Sequence, residues 1–483
     1  MTTFSRRTLL RTGAAGASLV TLSLGAWALR IANAQKADPV AGPYGPLSPV
    51  LDETTGLPLL QLPKGFRYQS FSWAGDLMGD GASAPNMHDG MAVIRSLNGK
   101  TTLIRNHEVG AGPLLGASLY DDVVVPTEIA QTEGPVTVGG GTTTLTYENG
   151  QWRSARPSLG GTLINCSGGP TPWGSWLSCE ETVTDLRQLG GKLHGFVFEV
   201  PAEGVASAVP LTAMGLFSHE AVAIDPNTSI AYLTEDNGDT SGLYRFLPAN
   251  RTQTLRALED GGILQMLKVT GQRNADLTTP KVGDRYDAEW VDIADPVMLP
   301  ENQDNVLDME GRSGPYMQGE DQGAAKFKRL EGAFFHDGSL YFADTSAGAA
   351  EFGVIWRYDP DEEKADAGGL LTALFVSPNP SVGNRPDNLT LSPRNELYFC
   401  EDGDDQPQRI MGLLPSGDTF PFVGNNVALD EGNIKTIEKP LISPGDYRFE
   451  EWAGATFSPD GETLFVNIQT PGITFAITGP WKT

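Results

Sequence analysis

Residues 331–345 read EGAFFHDGSLYFADT, and this stretch has the pattern of a β-hairpin. Two apolar runs flank Asp337-Gly338, a dipeptide that favours the tight turn of a β-hairpin. Two more runs of strand-forming residues follow, at 353–360 and 370–378. Because each run has the length of a strand and the connections are short, the segment predicts a four-stranded antiparallel unit.

The same order of strands recurs along the chain, as in a repeat architecture. The second strand of each unit is an apolar run, at 103–108, 175–181, 230–236, 339–345, 396–402 and 463–469. A third strand follows each of them, at 142–147, 196–200, 243–247, 353–360, 409–414 and 473–477. The sixth unit lacks a fourth strand, which the segment 65–73 could supply.

These repeats predict an all-β protein, a six-bladed β-propeller closed by an N-terminal strand. A tandem array of two-sheet sandwiches is the alternative, because the distance between copies allows it. The missing last strand and the spare first one favour closure. The expected organisation is a signal segment at 1–34, an irregular Pro-rich arm at 35–64 and a single propeller domain at 65–483, with an acidic insertion at 272–328 that caps one face.

The composition is that of a folded, acidic protein. Of its 483 residues 40% are hydrophobic, and 57 Gly and 34 Pro indicate many loops and exclude a helical bundle. Asp and Glu number 60 against 34 Lys and Arg, which gives a formal net charge of −26. This excess of acid argues against nucleic acid or an anionic membrane as a partner, and it permits bound cations.

The N-terminal 34 residues predict a targeting segment. Residues 5–11 read SRRTLLR, a twin-arginine pattern, and after an apolar stretch Ala32-Asn33-Ala34 gives a small-x-small cleavage signal. We therefore expect a periplasmic or secreted protein that uses the twin-arginine export machinery and has no membrane association after processing. The chain has three cysteines, Cys166, Cys179 and Cys400, and a Cys166–Cys400 disulfide stays open.

Acidic residues recur where the first strands begin and where the second strands end. Because consecutive strands are antiparallel, both places lie at the same mouth of the ring. The first set is Asp89, Asn165, Glu220, Glu331, Asp387 and Glu450 or Glu451; the second is Glu108, Cys179 to Glu181, Glu235, Asp236, Asp344, Glu401 and Asp402. Such crowding of like charges predicts multivalent cations, although turns and surfaces alone also favour Asp, Asn and Glu beside strands.

Two further residues bear on the chemistry of this mouth. Cys179 stands at the acid-rich end of its strand, and a thiolate is a good ligand for iron or zinc but a poor one for Ca²⁺. Arg329 is a cation placed at the mouth, where its fork suits either a phosphate or a salt bridge to the acids. The strand alternation turns His107 and His219 away from their Glu neighbours, which favours structural roles for both.

Several blocks of sequence resemble the PhoX-type alkaline phosphatase family. They are NCSGGPTPWGSWLSCEE at 165–181, FSHEA at 217–221, RLEG at 329–332, PDNL at 386–389 and FSPDGETLFVNIQTPG at 457–472. Two features depart from the family pattern. The chain is shorter than the best-known members, and Gln469-Thr470-Pro471 stands where a histidine is expected at the middle position.

The resemblance implies an exported six-bladed propeller that hydrolyses small-molecule phosphate monoesters. Its mouth is expected to hold a mixed cluster of iron (Fe³⁺) and calcium with a bridging oxygen. The implied iron-cluster ligands are Cys179, Glu220, Glu331 and Asp387; the implied calcium ligands are Glu108, Glu181 and Asp236; and the implied catalytic residues are Arg329 and Asn165. Ring closure leaves no free sheet edge, so a monomer is expected.

Two other functions fit the sequence. One is a calcium-dependent lactonase or related esterase, because the block from Glu331-Gly332 to Asp344 resembles those enzymes too. The other is an exported propeller that binds a partner without catalysis. A lactonase needs hard oxygen ligands and no thiolate, and a binding scaffold needs no stoichiometric iron, so metal content separates the three functions.

Overall fold

The structure, a computed structural model, describes residues 37–482 except 117, 131–133, 306, 362–366 and 405. The expected signal segment 1–34 lies outside the described residues. Within them strands dominate and helices are few and short, so the prediction of an all-β protein is confirmed. None of these helices combines the length and the apolar character needed to cross a membrane.

The first ten strands lie between residues 47 and 162. They are β1 (Leu47–Val50), β2 (Leu60–Pro63), β3 (Arg67–Phe71), β4 (His88–Leu97), β5 (Lys100–His107), β6 (Ala111–Gly112), β7 (Val124–Val125), β8 (Val136–Val138), β9 (Gly140–Glu148) and β10 (Gln151–Thr162), with helix α1 at Thr127–Ala130. A four-stranded antiparallel sheet has the order β10-β9-β5-β4, and β6, β8 and β7 form a small separate sheet.

The next ten strands lie between residues 165 and 292. They are β11 (Asn165–Pro170), β12 (Ser175–Glu180), β13 (Thr184–Asp185), β14 (Leu193–His194), β15 (Val197–Pro201), β16 (His219–Ile224), β17 (Ala231–Glu235), β18 (Leu243–Pro248), β19 (Gly262–Val269) and β20 (Arg285–Asp292). The 3₁₀ helices are Arg187–Leu189, Thr212–Met214 and Ala257–Asp260. The second repeat has a three-stranded sheet, β11-β12-β15. The bridge from Phe198 to Pro210 and the hydrogen bond from the Leu211 N–H to the Val197 carbonyl, at 2.9 Å, mark its fourth strand.

The last thirteen strands complete the repeats. They are β21 (Leu330–His336), β22 (Ser339–Asp344), β23 (Val354–Pro360), β24 (Gly368–Val376), β25 (Pro386–Leu391), β26 (Leu397–Glu401), β27 (Arg409–Leu413), β28 (Thr419–Asn425), β29 (Ala428–Leu429), β30 (Gly445–Asp446), β31 (Trp452–Phe457), β32 (Thr463–Ile468) and β33 (Ile473–Thr478), with helices α2 (Gly314–Asp321) and α3 (Glu431–Thr436). Asp337 and Gly338 turn β21 into β22 with φ of 46° and 79°, the left-handed values that this tight hairpin requires.

The first strands of the repeats follow one another around a ring. β4 packs against β11, β11 against β16, β16 against β21, β21 against β25, β25 against β31, and β31 returns to β4. At the seam β3 pairs antiparallel with β33, so that Arg67 lies opposite Thr478 and Phe71 opposite Thr474. The N-terminal segment therefore supplies the strand that the last sheet lacks, and the arrangement is propeller-like.

Two segments differ from the sequence-based expectation. The arm at 35–64 is not irregular throughout, because β1 and β2 extend the sheet of β25–β28 and bury Leu60 and Leu62. The insertion at 272–328 contributes β20, which pairs with both β19 and β24 and joins two repeats into one nine-stranded sheet. Its later part carries α2 and brings Met309 and Ser313 beside the mouth residues Glu181 and Asp236.

Candidate metal centre

The first strand of every repeat has a β-bulge at the same place. The register with the second strand shifts immediately after His88, Asn165, His219, Leu330, Pro386 and Ala453. Such a bulge adds one residue and re-aims its side chain. The residues that follow the shifts are Asp89, Cys166, Glu220, Glu331, Asp387 and Gly454, and the first five have their donor atoms in one cluster.

The ends of the second strands approach the same region through a repeated hydrogen bond. In every repeat the residue after the second strand donates its backbone N–H to a carbonyl just before the bulged residue, two residues before it in five repeats and three residues before Gly454 in the sixth. The pairs are Glu108 to Met87, Glu181 to Ile164, Asp236 to Ser218, Thr345 to Arg329, Asp402 to Arg385 and Gln469 to Glu451, at N···O distances of 2.8–3.1 Å. Two sets of side chains therefore meet at one mouth, as the sequence indicates.

Nine donor side chains form a continuous cluster at this mouth. They fall into four overlapping groups, within each of which the ligand atoms lie no more than 4.8 Å apart. The groups are Asp89–Glu108–Cys166, Cys166–Glu181–Glu220, Glu220–Glu331–Asp387 and Asp387–Asp402–Glu451. Five of the predicted metal ligands are thus brought together: Glu108, Glu181, Glu220, Glu331 and Asp387. Asp89, Asp402 and Glu451 join them.

The electrostatics of this cluster are unfavourable without cations. Burial raises the pKa of Glu220 well above its usual value, and the charge of Asp387 raises it further. Burial also raises the pKa of Asp387 and of Glu108 to about 7. Both carboxylate oxygens of Glu220 are buried and accept no hydrogen bond from the described residues. Orphaned carboxylate oxygens among like charges fit multivalent cations, so the residues present suit a metal cluster.

The sulfur in the cluster belongs to Cys166, not to the predicted Cys179. Cys179 lies opposite Val197 in the ladder and packs with Leu177 and Phe217 in the hydrophobic core between two sheets. Burial raises the pKa of the Cys166 thiol, and Asp89 and Glu220 raise it further. The bulge after Asn165 explains the difference, because it gives Cys166 the place that an acid has in four other repeats.

Asn165, the second predicted catalytic residue, has its side chain committed to structure. It is fully buried, its Oδ1 accepts a hydrogen bond from Thr162 at 2.6 Å, and its Nδ2 donates to Ser178 at 2.9 Å. Because the amide is fully buried and bonded within the protein at both ends, its observed contacts are structural. It fixes the strand immediately before Cys166, so we expect it to position that residue.

Arg329 lies beside the cluster, as predicted. Its Nε and Nη2 donate to Asp236 at 3.1 and 2.7 Å, and Nη2 also donates to Glu331 at 3.2 Å. Burial lowers the pKa of Arg329, but the charges of Glu331 and Asp236 outweigh it and raise the pKa overall. Asp236, which lies outside the four metal groups, orients Arg329 here. The side chain of Arg329 is 37% exposed, so a ligand at the mouth can reach it.

Gln469 and the histidines complete the surroundings. Nε2 of Gln469 lies 2.5 Å from Glu108, 2.9 Å from Glu451 and 3.2 Å from Asp89, so an amide stands among the carboxylates, one residue before Thr470, the position where a histidine was expected. The ring of His107 bonds to the Asn86 carbonyl and to Thr143, and that of His219 bonds to the Gly215 carbonyl. Neither histidine belongs to the four metal groups of the described residues.

A family model described as Alkaline phosphatase PhoX matches residues 42–158 and 154–472 of the chain. The chain belongs to the PhoX alkaline phosphatase family. The predicted enzyme class, a phosphoester hydrolase, is therefore confirmed. A search among curated proteins gave no significant match.

Solved structures add information on the fold. PhoX of Pseudomonas fluorescens, in complex with vanadate as a transition-state analogue, is similar with a TM-score of 0.62 at 18% identity, over 90% of this chain and 98% of that one. The likeness supports the propeller-like fold of this PhoX family member. A gluconolactonase of Xanthomonas campestris, XC5397, gives a TM-score of 0.40 at 11% identity, over 93% and 99% of the two chains. A likeness at that level has no bearing on activity.

Separate substitution of Cys166 and Cys179 by alanine tests which cysteine is a metal ligand and which is a core residue. In Cys166→Ala we expect the affinity for a metal that prefers thiolate to fall by about a hundredfold or more. Loss of a residue that only hydrogen-bonds to a metal ligand already lowers metal affinity by about tenfold to hundredfold. In Cys179→Ala we expect full metal content and a loss of stability of about 1 kcal/mol from the small cavity. Elemental analysis after gel filtration and thermal melting measure the two effects. Metal loss confined to Cys179→Ala would contradict the assignment.

Proposed function

We propose that this chain is an exported metal-dependent phosphomonoesterase that releases inorganic phosphate from organic phosphate esters. The observation that carries the proposal is the position of Arg329 beside a cluster of eight carboxylates and one thiol, five of them buried and four half-buried. A chain with a net charge of −26 repels a phosphate dianion. A local reversal of that charge, by metal ions together with a guanidinium, allows the substrate to bind.

The donor chemistry supports iron at one part of the cluster and calcium at another. Cys166 supplies the soft ligand that iron accepts, with Glu181 and Glu220 in the same group. Asp387, Asp402 and Glu451 offer oxygen alone, which suits Ca²⁺. When bound, such ions supply Lewis-acid stabilisation of the charge on the phosphoryl oxygens.

The chain's own residues bind and orient the ester. Arg329 presents a guanidinium that can donate to two phosphoryl oxygens, and the two hydrogen bonds from Arg329 to Asp236 fix its direction. The backbone of Arg329 is held as well, because its N–H donates to Ser241 Oγ at 2.7 Å and to the Gly238 carbonyl at 3.0 Å. A pre-oriented donor stabilises developing phosphoryl charge without reorganisation during the reaction.

We also propose the finer architecture and location. The cyclic order of the six first strands and the β3–β33 pairing support a six-bladed propeller, formed by one domain from residue 65 onward. The twin-arginine pattern at Arg6 and Arg7 supports export with removal of residues 1–34. The β3–β33 pairing at the seam supports a monomer, because a closed ring leaves no free sheet edge there.

The decisive experiment combines metal content with turnover. Purified protein from its export route should carry stoichiometric iron and calcium and hydrolyse p-nitrophenyl phosphate. Complete removal of metal by a chelator should abolish turnover, and restoration of iron and calcium together should recover it. Undiminished hydrolysis by protein free of metal would refute the mechanism. A stable protein with no metal and no turnover would favour the binding-scaffold alternative.

Arg329→Ala should lower kcat/KM for p-nitrophenyl phosphate by about a hundredfold or more, because charge-assisted hydrogen bonds that strengthen in the transition state are lost. Arg95→Ala is the matched control, since it breaks an exposed ion pair with Glu203 at the far end of β4. We expect this control to change turnover and stability little. Equal kinetics for Arg329→Ala and Arg95→Ala would remove Arg329 from the site.

Export can be tested on the leader alone. Joint Arg6→Lys and Arg7→Lys substitution should leave the chain unprocessed in the cytoplasm, because the twin-arginine signal is read by a receptor and not by charge. Cell fractionation followed by mass spectrometry of the N-terminus measures location and cleavage. Arg11→Lys, a substitution just after the arginine pair, is the control and should be exported normally.

A further inference from the structure

Arg385 has the same place in its repeat as Arg329 has in the preceding one. Each stands two residues before a bulged acid of the cluster, and each has a left-handed backbone, with φ of 55° and 56°. The N–H of Arg385 donates to the Phe352 carbonyl, as that of Arg329 donates to the Gly238 carbonyl. The backbones of both arginines are therefore held in the same way at the same mouth.

The two arginines differ in their counter-ions. Arg329 is paired with Asp236, which ends the second strand of the preceding repeat. The equivalent residue for Arg385 is Thr345, whose hydroxyl is buried with no hydrogen-bond partner among the described residues. The ion pair of Arg385 is a long one, 3.8 Å from Nη1 to an oxygen of Asp404, whose side chain is 97% exposed. An exposed pair at this distance contributes little.

The guanidinium of Arg385 is placed to meet a ligand. Its Nε is buried and makes no hydrogen bond to the described residues, whereas 35% of the side chain is exposed, close to the 37% of Arg329. Because the Nε lies below the surface, a ligand oxygen meets this residue at the exposed part of its side chain. Both arginines act on Asp402, a member of the cluster. Burial raises the pKa of this carboxyl, and the charges of Arg329 and Arg385 lower it.

We infer that Arg385 is a second substrate-binding residue, which donates to an oxygen of the phosphate group at the mouth. Arg329 has two acids as close partners, whereas the single ion pair of Arg385 is long and exposed. Arg385 therefore adds a second positive charge for an anionic substrate beside that of Arg329. This inference rests on the proposed phosphomonoesterase function and adds a binding residue to it.

The test compares variants of the metal-loaded enzyme with p-nitrophenyl phosphate as substrate and inorganic phosphate as inhibitor. Arg385→Ala should raise both KM and the inhibition constant of phosphate about tenfold, the effect of one lost charge-assisted contact. Arg385→Lys should recover part of this, because it keeps the charge and loses the fork. Lys328→Met is the control, since its ammonium is committed to Glu351 and should change either constant less than about twofold.

Binding of inorganic phosphate, measured by calorimetry, separates the two levels of inference. Absence of turnover in the metal-loaded wild-type enzyme contradicts the proposed function. Wild-type KM, inhibition constant and phosphate affinity in Arg385→Ala contradict the role of Arg385. If Arg385→Ala loses metal, Arg385→Lys decides: intermediate constants at full metal content support the inference, and wild-type constants overturn it.

Discussion

Eight carboxylates and one thiol lie close together at the mouth of the ring, five of these residues buried and four half-buried, and their mutual repulsion constrains the surrounding structure. Burial raises the pKa of Asp89, Glu181 and Glu331, and the charges of neighbouring carboxylates raise it further. A protein of ordinary stability cannot hold so many uncompensated charges, because each buried ion costs several kcal/mol. The site is therefore suited to bind cations, and the closed ring of strands holds the donor side chains close together despite their repulsion.

The bulges show how the ring brings these groups so close. A bulge places one acid in the cluster in each of four repeats and Cys166 in a fifth, and in two of these repeats the following residue is a glycine packed against the neighbouring inner strand. A Cβ on Gly90 would lie 2.6 Å from Cα of Ser167, and one on Gly332 would lie 2.8 Å from Cα of Asn388. Neither contact is tolerated without movement of the backbone, so the glycines set the diameter of the ring and with it the spacing of the ligands.

The repeats and the mouth could be predicted from sequence, because strand alternation and hairpin turns are local signals. Acids at equivalent places in the repeats predicted most of the cluster. The choice of cysteine could not be made in that way, since a bulge shifts the register by one residue and leaves no mark of its own in the sequence. Strict alignment of Asn165-Cys166 with His219-Glu220 and Pro386-Asp387 would have selected Cys166. The pairing of the N-terminal arm with β28 is a long-range contact that local patterns cannot reveal.

The acids at the ends of the second strands fall into two classes. Some are satisfied by hydrogen bonds within the protein, so the number of acids at the mouth exceeds the number that need a bound cation. Glu180 accepts hydrogen bonds from the N–H groups of Leu163, Gly195 and Phe196 and from His194, and Glu401 is satisfied by Asn384 and Arg409. The next residue along the chain, Glu181 or Asp402, points to the opposite side and belongs to the cluster. Alternation along an extended backbone thus gives adjacent acids separate tasks: the first secures the end of the strand, and the second leaves its charge for a bound ion to neutralise.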